Sequence, residues 1–165
     1  MCRGEKEMSF LHQHKLQKEA SVSSLLKSCA EQKDLEKGFR IHENLLRTDW
    51  LEKSVFIGSA LVSLYAKCGA LNEAKEVFNR IEARNSVSWN ALIGGYAQHG
   101  HPNEALQCFH QMCENIFPDS ITFVCALKAC GSTESLLDKG KEIHLQILNE
   151  DLQILNEDLP VIFLL

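Results

Sequence analysis

The chain has 165 residues, of which 45% are hydrophobic and 24% charged, with only 3 Pro and 9 Gly. This composition supports a packed core and excludes wholesale disorder. The formal net charge of −5 argues against a nonspecific polyanion binder, although a total says nothing about which face carries the charge. No apolar run reaches the roughly 18 residues of a membrane span. The 7 Cys are odd in number and include no CxxC pair, which fits reduced, packed thiols better than a disulfide frame.

Residues 1–19 are polar and of mixed charge. Glu5, Glu7 and Glu19 interrupt them, so they lack the apolar core of a leader and no transit peptide is evident. Phe10, Leu11 and Leu16 allow a short helix there, so the segment reads either as a polar N-terminal stretch or as the remnant of a preceding unit. Residues 20–54 form the first clear helix hairpin. Val22, Leu25, Leu26 and Cys29 give its first helix an apolar stripe. Asp34 is an N-cap candidate, and Gly38, Ile41, His42 and Leu45 follow on one face of the second helix. Trp50 to Lys53 read as the connecting loop.

Residues 55–85 and 86–119 are two further hairpins related by a constant offset. Ala60, Leu61, Tyr65, Ala66, Gly69, Asn72, Glu73, Ala74 and Phe78 recur 31 residues later as Ala91, Leu92, Tyr96, Ala97, Gly100, Asn103, Glu104, Ala105 and Phe109. Self-similarity of this kind marks a repeat architecture. Gly69 should end the first helix in the left-handed conformation. Asn72 and Asn103 are N-cap or first-turn candidates for the second helices. Ala74 and Ala105 are small enough for close helix approach. A single such hairpin cannot bury its apolar face, whereas stacked neighbours can.

Residues 120–160 form a fourth hairpin, because Leu127 to Cys130 resembles Leu26 to Cys29 and Gly140 to His144 resembles Gly38 to His42. His42 and His144 thus hold equivalent packing positions. The segment Leu145 to Asp151 recurs unchanged as Leu152 to Asp158. Residues 161–165 read as the truncated start of another unit. Cys108, His110 and Cys113 resemble a metal-ligand set only on paper, since on a helix Cys108 and His110 point to different faces.

The first-helix stretches 21–29, 55–68, 86–99 and 121–130 contain Lys27, Lys67 and Lys128 and no acidic residue, so all 22 Asp and Glu lie elsewhere. In a solenoid the first helices line one surface and the second helices the other. An acidic chain can therefore offer phosphates a neutral-to-positive surface, with Lys67, Lys27 and Lys128 as the candidate contacts.

The stretches LLKSCAEQKDLEKGFRIH (25–42), ALVSLYAKCGALNEAKEVFNRI (60–81) and VSWNALIGGYAQHGHPNEALQCFHQM (87–112) resemble pentatricopeptide repeats. The alternation of unit lengths, near 36, 31 and 34 to 35 residues, resembles the plant-type subfamily of long, short and standard repeats. The resemblance implies an all-α fold, an α-solenoid of stacked hairpins winding as a right-handed superhelix. It also implies binding of single-stranded RNA at about one base per repeat. In that family the fifth and last residues of a unit choose the base. Carried onto this chain, these are Ser59 with Asn85, Asn90 with Asp119, Ser23 with Ser54, and Val124. The implied preferences are adenine for Ser59/Asn85 and uracil for Asn90/Asp119, with little discrimination at the other two. The second residues Phe56, Val87 and Ile121 would sandwich bases.

No catalytic constellation, phosphate loop or cofactor motif occurs in the sequence, so an enzyme is not expected. The family resemblance implies a targeting module for RNA editing or processing in a mitochondrion or chloroplast, alongside the proteins that perform that chemistry. Two other readings stand beside it. One is a protein-interaction scaffold, which an acidic concave face would favour. The other is a nonfunctional truncated gene product, which the duplicated segment would favour.

Overall fold

Three of the four hairpins, the first three along the chain, close on the same turn. The Ala70 N–H donates to the Tyr65 carbonyl at 2.9 Å, His101 to Tyr96 at 2.9 Å, and Asp34 to Cys29 at 2.9 Å. A bond spanning five residues requires a left-handed residue inside it. Gly69 (φ 80°) and Gly100 (φ 79°) supply it in two hairpins, and Lys33 (φ 54°) supplies it in the first.

The computed structural model describes residues 4–47, 54–131 and 134–157. Its helices are α1 (Gly4–Gln32), α2 (Leu35–Leu46), α3 (Val55–Cys68), α4 (Leu71–Arg80), α5 (Ser86–Gln98), α6 (Pro102–Cys113), α7 (Ser120–Cys130) and α8 (Leu137–Glu157). A short 3-10 turn, Glu134–Leu136, precedes α8. No strand occurs among the described residues. The all-α solenoid expected from the repeats is what forms. The first helices α1, α3, α5 and α7 pack side by side in one layer, and α2, α4, α6 and α8 cover that layer from behind.

Sequence explains the layering. Helix α3 is apolar nearly all round, and Ile57, Leu61, Val62, Leu64 and Tyr65 are fully buried between its four neighbours. A helix without a polar face belongs in the middle of a stack. Helices α4 and α6 are amphipathic and bury one stripe each: Ala74, Val77 and Phe78, then Ala105, Phe109 and Met112. Tyr65 is enclosed, yet its hydroxyl lies 2.8 Å from His42 Nδ1. Burial pushes the Tyr65 hydroxyl up to about 12. Burial, followed by the Arg80 charge, holds the His42 imidazole below its ordinary value. The neutral ring pairs with the tyrosine hydroxyl through Nδ1, and its tautomer sets which of the two donates. His144, the repeat equivalent of His42, is exposed.

Some expectations change. Of the two roles open to Asn72 and Asn103, the first-turn one is taken: Ala70 and His101 are the N-caps, and both asparagines sit beside Glu73 and Glu104. Helix α1 runs unbroken for 29 residues, so the expected boundary between residues 19 and 20 falls inside a helix. No Gly or Pro lies between Gly4 and Gln32 to stop it. The backbone of the duplicated heptad continues as α8 to Glu157. Seven residues are about two turns, so the insertion barely changes the helical phase. The loop 50–53 and the segment 161–165 lie outside the described residues.

Helix α5 meets α3 at unusually close range. A Cβ placed on Gly95 would stand 2.6 Å from the Ala66 Cβ and 3.2 Å from its Cα. Gly95→Ala should therefore lower stability by about 1–3 kcal/mol in urea denaturation, although Ala is the better helix former. Lys33→Gly should act in the opposite sense. Removing the Cβ from a left-handed position is worth roughly 0.5–1 kcal/mol, readable as an upward shift in the thermal midpoint.

Candidate nucleic-acid interface

The outward edge of the first-helix layer carries two concavities. One, of about 240 Å³, spans α3, α5 and α7 and is lined by Lys67, Asn90, Gly94, Gln98, Cys125 and Lys128, among others. The other, of about 420 Å³, lies between α1 and α3 and is lined by Leu16, Glu19, Ser23 and Lys27 of α1 and Phe56 of α3, among others. Lys27, Lys67 and Lys128 are all exposed. Lys67 and Lys128 thus flank Asn90 on one surface. Glu19 brings one carboxylate onto the same face, because α1 extends further back than the acid-free stretch 21–29.

Asn90 is held by a dense hydrogen-bond network. Its Nδ2 donates to Asp119 Oδ1 at 2.9 Å and Oδ2 at 3.1 Å. Asp119 is also the N-cap of α7, accepting the Thr122 N–H at 2.8 Å. The Thr122 hydroxyl returns the bond, accepting from the Asp119 N–H at 3.1 Å and donating to Asn90 Oδ1 at 2.6 Å. Asn90 and Asp119 are half-buried, and Thr122 is fully buried. Burial alone would raise the Asp119 carboxyl. The donors from Thr122, Asn90 and Ile121 outweigh it and hold the group below its ordinary value.

The preceding unit repeats the arrangement with smaller groups. Ser59 donates to Asn85 Oδ1 at 3.2 Å, and Asn85 caps α5 by accepting the Ser88 N–H at 2.9 Å. Ser88 is fully buried, but its hydroxyl donates to the Asn85 carbonyl at 2.9 Å and not to Ser59. In the first unit, Ser54 is buried and caps α3 through the Ile57 N–H at 3.4 Å. Ser23 lines the α1–α3 concavity, and among the described residues it makes no hydrogen bond with Ser54. The sequence pairs 59/85 and 90/119 are thus joined by hydrogen bonds, and the pair 23/54 is not.

An apolar ladder flanks these pairs. Phe56, Val87 and Ile121 hold the second position of α3, α5 and α7, and they are 71%, 58% and 60% exposed. Large apolar side chains left in water at one register of three successive helices need a use. Val124, at the position matching Ser59 and Asn90, is 65% exposed and carries no polar group.

Sequence reasoning missed Thr122 and Ser88. Their signal was present: Asn85-x-x-Ser88 and Asp119-x-x-Thr122 are capping-box spacings at matching places in two units. The suspected metal set separates, since Cys108 is buried with its Sγ 3.9 Å from Lys75 Nζ while His110 and Cys113 are exposed. Among the described residues no helix is long and apolar enough to cross a membrane.

Asp119 gives a direct reading of this network. Its carboxyl should titrate below the ordinary value near 3.9 by carbon NMR, and Asn90→Ala should move the midpoint upward. A depressed carboxyl stabilises the fold above its unfolded pKa, and that contribution is lost as pH falls through the folded value. Stability from this source should therefore hold at neutral pH and fade only in acid.

Residues 59–86 match the PPR repeat, and residues 84–132 match the PPR repeat family. A pentatricopeptide repeat-containing protein of Arabidopsis thaliana is 39% identical over 134 residues, covering 81% of this chain and 19% of the relative. A chloroplastic pentatricopeptide repeat-containing protein of the same plant is 36% identical over 138 residues, covering 83% and 22%. A mitochondrial one is 40% identical over 126 residues, covering 75% and 12%. The chain spans no more than 22% of the length of these three relatives. With its stacked hairpins and these matches, the chain is a pentatricopeptide repeat protein.

Proposed function

We propose that the first-helix face binds single-stranded RNA and reads adenine at Ser59/Asn85 and uracil at Asn90/Asp119. One observation carries this reading. Asn90, held by Asp119, opens onto the concavity that Lys67 and Lys128 flank, with the exposed Val87 and Ile121 on neighbouring helices. The lysines meet phosphates, the apolar side chains cover base faces, and the amide edge selects the base. Ser23, Ser54 and Val124 contribute little choice, while Phe56 and Lys27 extend the track toward α1. The unit lengths fit the long, short and standard subfamily. Chloroplastic and mitochondrial relatives favour an organellar role, as the targeting part of RNA editing or processing complexes. The chain's part is recognition, without a cofactor and without catalysis of its own.

Short RNAs with adenine and uracil at the two coded positions should bind more tightly at low salt than RNAs with the bases swapped, or matched DNA. Asn90→Ala should erase the uracil preference. With three lysines on the face, affinity should fall with salt with a logarithmic slope of about −2, and Lys67→Ala should reduce the slope by about 0.7. Equal binding to all three nucleic acids would contradict base reading and would favour a protein-binding scaffold.

A further inference from the structure

We propose that the Thr122 hydroxyl fixes which way the Asn90 amide faces, and so makes that position choose uracil over cytosine. This rests on the RNA-binding reading above.

The argument begins with the two bases. Uracil offers an N3–H donor beside a carbonyl acceptor. Cytosine offers an N3 acceptor beside an amino donor. The two edges carry the same groups in opposite order. An asparagine amide also carries one acceptor and one donor group, and turning it by half a rotation swaps them. A freely turning amide therefore suits either pyrimidine, whereas a fixed one suits only one.

Asn90 is fixed from both ends. Nδ2 has two protons, and the Asp119 carboxylate takes one of them. Oδ1 receives the Thr122 proton at 2.6 Å, the shortest hydrogen bond in the network. That leaves one N–H and one lone pair for a base. Thr122 is suited to this task because it is fully buried, so water cannot compete for its hydroxyl. Its oxygen already accepts the Asp119 N–H at 3.1 Å. Its single proton is then free to go to Asn90, with Asp119 Oδ1 the longer alternative at 2.9 Å. The matching residue one unit earlier does not do this. Ser88 donates its proton to the Asn85 carbonyl, and Ser59 is held by Asn85 alone. Thr122 is thus a positioning residue for one base and not simply a cap.

The test uses the whole chain and RNAs that differ only at the base opposite Asn90, uracil or cytosine. The variants are Thr122→Val, which keeps the shape and the capping N–H, and Thr122→Ser, which keeps the hydroxyl. The uracil-to-cytosine affinity ratio should fall at least about fivefold in Thr122→Val and be retained in Thr122→Ser. The adenine preference at Ser59/Asn85, measured in the same variant, should not move, and so reports an intact fold. If the ratio survives Thr122→Val but is lost in Asn90→Ala, Thr122 is only a cap and the proposal is overturned. If Thr122→Val loses the preference at both positions, its role is structural, and the proposal is likewise overturned. If the wild-type chain distinguishes no bases at either position, the RNA reading itself fails and takes this proposal with it.

Discussion

The residue that starts a first helix also grips the first helix before it. Asn85 opens α5 and holds Ser59 on α3, while Asp119 opens α7 and holds Asn90 on α5. One side chain thus performs two tasks, capping an orphan backbone donor and orienting a neighbour's polar group. Each polar pair is therefore never the property of one hairpin, because half of it belongs to the next. The geometry is stiff because the layer is tight: Gly95 leaves no room for a Cβ beside Ala66, so α3 and α5 cannot slide without a clash. Stacking comes first, and the polar pairs follow from it.

The division between layers also decides the electrostatics. The chain is acidic overall, yet α3, α5 and α7 carry two lysines and no carboxylate. Core packing and charge placement are separable here, since the second helices pay no packing penalty for charges on their solvent side. Exposed Phe56, Val87 and Ile121 on the same edge would be a liability on an idle surface. Beside fixed amides and free ammonium groups they form a coherent surface for flat, apolar-faced, anionic ligands.

Much of this was legible because repetition made it so. The offset of 31 residues fixed the positions of Gly69 and Gly100 in their turns, and both take the left-handed conformation it implied. The family resemblance, not the offset itself, paired Asn90 with Asp119 and Ser59 with Asn85, and both pairs are hydrogen-bonded. What escaped reading was set by contacts that spacing does not encode. Lys33 adopts the left-handed turn without being glycine, because the Asp34-to-Cys29 bond and the Asp34 cap overrule its local preference. Which of their two open roles Asn72 and Asn103 take was decided by the turn bond, which ends at Ala70 and His101 and leaves both asparagines in the first turn. The length of α1 was missed because its polar start carries no periodic signal. Thr122 and Ser88 were passed over as ordinary helix residues, though the capping-box spacing marked them.

The most direct test of the account is a map of where single-stranded RNA touches the chain. Backbone amide shifts followed during titration with a short adenine- and uracil-containing RNA would supply it. The account predicts changes along the outward edge of the first-helix layer, at Val87, Asn90, Ile121 and Lys128 above all, with α4 and α6 silent. Changes concentrated on α4 and α6, or none anywhere at saturating RNA, would contradict it.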